Sequence, residues 1–256
     1  VAVKEFRYHR SEAPVAVLQD LREEVCMHLR LRGHRRLVRL IGVWLIPKAS
    51  LVLEDMECGS LHRLIHSPMG MRVGIPSSGV LQLLAQATEG LAGLHSKGIV
   101  HRDVKSHNVM VKPCLEIGEG GSQLALEAKL GDLGSAALVP GNGEDLLTEE
   151  AGTSGWVAPE VFSGLGYGTQ ADVFSLGVLI WEVFATKKPN PLNPLCGLTG
   201  QVYVDAVRDG VRPEPLPDMP IGVTDLVKRC WAFEPHQRPT AAEAALELAT
   251  LAQPKG

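Results

Sequence analysis

The run His101-Arg102-Asp103-Val104-Lys105-Ser106-His107-Asn108 constrains this chain more than any other stretch, because it puts an acid, an amine and an amide within six residues. The Asp103 carboxylate can accept a proton from a hydroxyl, or hold that hydroxyl in line for attack. Lys105 can neutralise a group that carries negative charge. Asn108 can offer its amide oxygen to a divalent cation. A second acid, Asp132 in Gly131-Asp132-Leu133-Gly134, is placed to be the main metal ligand. A His-Arg-Asp tripeptide by itself is no more than a solvated charge cluster. Together with these other groups it suits phosphoryl transfer, which draws most of its catalysis from positioning and charge neutralisation.

The rest of the chain has the makeup of a folded protein. Its 256 residues are 45% hydrophobic, enough for one or two good cores. A net charge of -4 leaves no nucleic-acid footprint. The most apolar run, Val173 to Ala185, is interrupted by Glu182 and is too short to span a bilayer, so it reads as a buried helix. The five cysteines form no CxxC pair, which favours a reducing compartment and a cytoplasmic location. No signal peptide is visible.

Val1 to Phe6 alternates as a strand, with Lys4 on the opposite face from Val3 and Glu5. Ala13 to Arg32 carries Val17, Leu18, Leu21, Val25 and Leu29 in a helical stripe. Leu37 to Leu45 and Ser50 to Asp55 read as two more strands. Ser60 is a plausible N-cap for a short helix. Met69 to Gly79 reads as a loop. Val80 to Ser96 reads as a helix with Leu81, Leu84, Leu91 and Leu94 on its buried face. Val109 to Val111 reads as a strand. Pro113 to Glu127 reads as a surface loop, because Gly118-Glu119-Gly120-Gly121 lacks the G-x-G-x-x-G spacing of a phosphate loop. Ala241 to Leu251 reads as a closing helix.

The catalytic run resembles H-R-D-L-x-x-x-N of the protein kinases, and further matches follow in the family's order: Val1-Ala2-Val3-Lys4, Asp132-Leu133-Gly134, Ala158-Pro159-Glu160, Asp172, Cys230-Trp231 and Arg238-Pro239-Thr240. The resemblance covers Val1 to about Leu251. It implies an α+β, bilobal fold, with residues 1–55 as a partial, mainly β N-lobe and residues 56–256 as a larger, mainly α C-lobe. It also implies roles. Asp103 is the catalytic acid-base group and Lys105 its partner. Lys4 grips the α- and β-phosphates of ATP, and a helix glutamate pairs with it. Glu24 fits that glutamate best by its neighbours, although the residue four after it, His28, stands where kinases bury an apolar group; Glu23 stays open as the alternative. Ala2, Leu53, Glu54, Met56 and Met110 surround the adenine, the stretch from Leu53 to Met56 serving as gatekeeper and hinge. Asn108 and Asp132 hold Mg²⁺. Thr153 bridges Asp103 and Lys105, Asp172 braces the backbone of the catalytic loop, and Arg238 pairs with Glu160. Thr148 and Ser154 are the candidate phosphosites of the activation segment.

Lys105 is the signature of serine/threonine rather than tyrosine kinases. The GTSGWVAPEVF and ADVFSLGVLIWEV segments are similar to the tyrosine-kinase-like group, and Gly59-Ser60-Leu61, the Lys105 to Asn108 run and the insert before Lys129 to its Roco, or leucine-rich-repeat, kinases. The implied activity is transfer of the ATP γ-phosphate, with Mg²⁺, to Ser/Thr hydroxyls of protein substrates in signalling. The alternative is a pseudokinase-like nucleotide-binding or scaffolding module. It draws on Leu133 in place of the usual Phe, and on the absence of a glycine-rich loop from this sequence, which starts at the VAVK strand and reads as a piece of a longer chain with upstream domains.

Overall fold

The computed structural model describes residues 1–6, 14–66, 75–118, 121–139, 146–164, 166–185, 193–214, 216 and 219–253. The chain opens with β1 (Ala2–Glu5), α1 (Pro14–Arg30), β2 (Leu40–Trp44) and β3 (Ser50–Leu53). β3 lies between β1 and β2 and pairs antiparallel with both, which sets Lys4 opposite Leu51. Val17 and Leu21 of α1 close on Ala49 and Leu51 to form a small core. Leu37 stays out of β2 and instead bridges to Leu130.

The buried face of α1 differs from the expected stripe. Leu18 is 48% and Leu29 58% exposed. Glu24 and His28 are buried instead, and with Val17, Leu21 and Leu31 they follow the spacing of one helix face. The cause lies in the surroundings: α1 packs against the turn that follows Asp132 more than against either neighbouring strand of the sheet. Ala13, where the expected helix begins, lies outside the described residues.

The larger part of the molecule holds α2 (Leu61–His66), α3 (Ser77–His95), α4 (Gln170–Ala185), α5 (Gly200–Arg208), α6 (Ile221–Cys230) and α7 (Ala241–Ala252). The Ser60 hydroxyl caps α2 by accepting the Arg63 N–H at 3.2 Å. α3 buries Leu81, Leu84, Leu91 and Leu94, and much of the loop expected before it lies outside the described residues. Every residue of α4 from Ala171 to Ala185 is buried, so this helix is the axis of the main core. β5 (Ile99–Val100) pairs with β8 (Ala137–Leu138), which brings the activation segment back to the catalytic loop. The fold is α+β, with small sheets first and a helical remainder.

The expected loop from Pro113 to Glu127 is largely strand. β6 (Val109–Gly118) and β7 (Gly121–Leu130) form one antiparallel ladder, joined at its other edge by β4 (Gly59–Ser60). Pairing runs from Val109–Leu130 to Gly118–Gly121, so cross-strand hydrogen bonds carry residues whose local composition reads as a loop.

Arg238 locks the two ends of the helical part together. Its side chain is fully buried and makes a two-pronged pair with Glu160, at 2.5 and 2.9 Å, while it also donates to the carbonyls of Ala232, Gln170 and Phe233. All its donors are therefore satisfied. Arg238→Ala strands the half-buried Glu160 carboxylate and leaves three carbonyls without their donors. It should destabilise the protein by about 3–5 kcal/mol, read from urea unfolding; a loss under about 1 kcal/mol would show that the lock is dispensable.

Candidate active site

A cleft of about 280 Å³ lies between the first sheet and the helical part. Ala2, Lys4, Leu53, Glu54, Met56 and Met110 line it, together with Asn108 and Asp132. Lys4 Nζ stands at its inner end, 2.8 Å from Glu24 Oε2 and 2.6 Å from Asp132 Oδ1. Of the two glutamates left open by the sequence, it is Glu24 that meets Lys4; Glu23 faces outward and accepts from Gln19. Gly134 eases the approach of these three groups. A methyl there would stand 3.1 Å from Glu24 Oε2 and 3.2 Å from Lys4 Nζ. Asp132 itself takes a left-handed backbone, φ 57°, which turns its carboxylate toward Lys4.

The catalytic loop is held from below. Asp172, in the first turn of α4, accepts the N–H of His101 at 2.7 Å and of Arg102 at 2.8 Å. Arg102 sits at φ 67°, a strained conformation for a non-glycine residue, and this turns both N–H groups onto one carboxylate. The His101 ring reaches the carbonyl of Gly131, which ties the loop to the Asp132 turn. Asp103 Oδ1 accepts the Thr153 hydroxyl at 2.6 Å, and Lys105 Nζ donates to the same Thr153 oxygen at 2.8 Å. Lys105 also pairs directly with Asp103 Oδ2 at 2.8 Å. The Asn108 amide nitrogen donates to the carbonyl and the carboxylate of Asp103, which leaves the amide oxygen pointing away from Asp103. Gly152 permits the approach of the Thr153 segment: its φ is +117°, and a side chain would lie 2.8 Å from the carbonyl of Arg102.

The family model for the protein kinase domain matches residues 1–247. This chain belongs to the protein kinase family. It is 32% identical over 214 residues to human mitogen-activated protein kinase kinase kinase 7, covering 82% of this chain and 32% of that protein. It is 29% identical over 245 residues to serine/threonine-protein kinase STY17 of Arabidopsis thaliana, covering 95% of this chain and 39% of that one. It is 30% identical over 249 residues to the probable serine/threonine-protein kinase roco6 of Dictyostelium discoideum, covering 94% and 11%. The chain thus spans between about a tenth and two fifths of the length of these relatives.

Charge in this kinase site follows from burial and neighbours. Burial works against the Lys4 ammonium, but Asp132 and Glu24 outweigh it and raise its pKa. Burial raises the Glu24 carboxyl even beside Lys4. For Asp132, burial pushes upward and Lys4 outweighs it, so the carboxyl is held low. Asp103 behaves alike: burial is outweighed by the hydrogen bonds of Lys105, Thr153 and Asn108, and it stays ionised. Asp132 and Asn108 offer oxygen donors on one wall of the cleft, the donor set that suits Mg²⁺.

Several residues play parts that the sequence reading did not assign. Val38, Asp55, His107 and Gly131 also line the cleft. The Glu54 carboxylate is a structural anchor: Lys112 and Lys129 each reach it at 2.7 Å, and against the upward push of burial they hold it down at about 2. Its backbone N–H is spent on the carbonyl of Arg39. Of the phosphosite candidates, Thr148 is exposed, next to Glu149, whose carboxylate is 3.0 Å from Arg102. The Ser154 hydroxyl is engaged twice, donating to the carbonyl of Leu198 and accepting the Gly197 N–H.

His28 is the residue in this site least suited to acid. It is 7% exposed, its Nε2 has no partner among the described residues, and burial, with Lys4 adding to it, lowers its pKa to about 4. The unfolded chain therefore binds a proton near pH 6.5 that the folded chain refuses, so stability is present above that pH and is lost as pH falls toward 4. His28→Leu should make the drop in urea stability between pH 7 and pH 5 smaller by roughly 2 kcal/mol. Identical drops in the two proteins would show that His28 carries no such linkage.

Proposed function

We propose that this chain transfers the γ-phosphoryl group of ATP to serine or threonine hydroxyls of protein substrates in signalling. The observation that carries the reading is the Thr153 hydroxyl joined at once to Asp103 and Lys105, with Asp103 held by Asn108, which lines the cleft where Lys4 meets Asp132. Asp103, ionised and aimed by Thr153 and Asn108, takes the proton of the acceptor hydroxyl. Lys105 neutralises charge on the group in flight, and Lys4, oriented by Glu24, grips the nucleotide phosphates. Ala2 and Met110 enclose the adenine beside Leu53, and the backbone of the hinge from Leu53 to Met56 offers it a polar edge. Asp132 and Asn108 would hold Mg²⁺, which when bound shields the charge of the phosphate oxygens.

The serine/threonine kinases among the relatives, roco6 included, support the placement in the tyrosine-kinase-like group and its Roco branch. Residues 1–55 form the N-lobe portion and residues 56–256 the C-lobe of the domain. Thr148, exposed beside the Arg102–Glu149 pair, is the better regulatory phosphosite, because Ser154 would first have to give up both its hydrogen bonds. The five cysteines form no disulfide among the described residues, which suits a cytoplasmic setting, and no helix among the described residues is long and apolar enough to cross a membrane.

In the full-length protein, Asp103→Asn should cut peptide phosphorylation at least about a hundredfold and leave ATP affinity unchanged. Asp132→Ala should abolish the gain in ATP affinity that Mg²⁺ confers. Retained turnover in the first variant, or an unchanged Mg²⁺ dependence in the second, overturns the assignments. Nucleotide binding without turnover in the unsubstituted protein would favour a scaffolding role instead.

A further inference from the structure

Against the catalytic loop, at Ser106 and His107, is a group of side chains that the phosphotransfer reading does not use. His62 and His66 lie four residues apart on α2, and so present both imidazoles on one helix face. They converge on Glu182, near the end of α4. His62 Nδ1 is 3.5 Å and His66 Nε2 3.9 Å from Glu182 Oε1. One donor atom from each of the three residues falls within 4.8 Å of the others. We propose that His62, His66 and Glu182 form a binding site for a divalent transition ion of the Zn²⁺ type.

The donor set is the first ground. Two imidazoles and a carboxylate are a frequent zinc triad, and bonds of about 2.0–2.2 Å at tetrahedral angles would separate such donors by roughly 3.4 Å. The two measured approaches to Glu182 are already near that value, and small rotations of the histidines close the rest. The environment of Glu182 is the second ground. Its side chain is only 10% exposed, and among the described residues its ion-pair partners are these two histidines. The Ser106 hydroxyl donates to Oε1 at 2.5 Å and the Trp156 indole N–H to Oε2 at 3.3 Å, so the carboxylate is fixed before any ion arrives. Accessibility is the third. The imidazoles are 35% and 37% exposed, which leaves a route in and an open coordination position for water.

The spacing His62-Arg63-Leu64-Ile65-His66 matches that of H-E-x-x-H, but Arg63 stands where those hydrolases carry their glutamate base. The site therefore has no hydrolytic role. Its output is mechanical. The ion would tie α2 to the core helix α4, and the tie reaches the catalytic loop twice: through Ser106 on Glu182, and through His107, whose ring stacks on His62 at 3.7 Å.

The test is titration of the full-length protein with Zn²⁺ by calorimetry, and with Co²⁺ by visible absorption, in the presence of excess Mg²⁺ and with accessible thiols alkylated. The expected result is one site per chain whose affinity falls at least tenfold in His66→Ala and in His62→Gln, while Asp132→Ala leaves it unchanged. His66 is exposed enough for its replacement to leave folding intact, and a melting curve without added metal checks this for each variant. Absence of stoichiometric binding in the unsubstituted protein, equal affinity in both histidine variants, or loss of the site in Asp132→Ala overturns the proposal.

Discussion

One carboxylate, that of Asp172, sets the shape of the catalytic centre by holding the backbone N–H groups of His101 and Arg102. The left-handed Arg102 conformation that this requires costs on the order of 1–3 kcal/mol, whereas hydrogen bonds to a charged group contribute about 1.5–3 kcal/mol each. The clamp outweighs the strain, and it does so because α4 gives Asp172 a rigid seat. From that point the order spreads by contact. The ring of His101 reaches Gly131 and so positions the Asp132 turn, while the Arg102 guanidinium reaches Ser135 and Glu149 of the activation segment. A buried helix with little chemistry of its own is thus what holds the two acids of the site in register.

At the other wall of the cleft the controlling group is Lys4. It lies on a strand, Glu24 on a helix and Asp132 on a turn, and the three meet because Gly134 leaves room and because α1 is rotated to bury Glu24. Burying a carboxylate is costly, and the raised Glu24 pKa is the sign of that cost. The lysine partner makes it tolerable. The same rotation buries His28, which stays neutral there with one ring nitrogen unpaired. Charge placement in the cleft and a weak point of α1 toward acid share one cause.

Residues whose placement depends on a short run were legible in the sequence. Asp103, Lys105 and Asn108 fall within one loop, and their chemistry follows from the loop being made at all. Ordered motifs then supplied Lys4, Asp132, Thr153, Asp172 and the Arg238–Glu160 pair. The readings that missed depended on partners far along the chain. Leu18 and Leu29 match the helical period of α1 but meet no core. Pro113 to Glu127 has the composition of a loop, yet each strand there is satisfied by the other. Glu54 lines the cleft as the hinge reading expects, but the anchoring of its carboxylate by Lys112 and Lys129 was not legible.

The sequence by itself determined the family and the inventory of reactive groups, because these rest on local spacing and on residue chemistry. Tertiary structure alone decided which of Glu23 and Glu24 meets Lys4, which face of α1 is buried, that the Ser154 hydroxyl is engaged while Thr148 is exposed, and that His62 and His66 converge on Glu182. Each of these depends on how elements pack at long range. Helical periodicity offers several near-equivalent faces, and only the surface that a helix meets selects one of them.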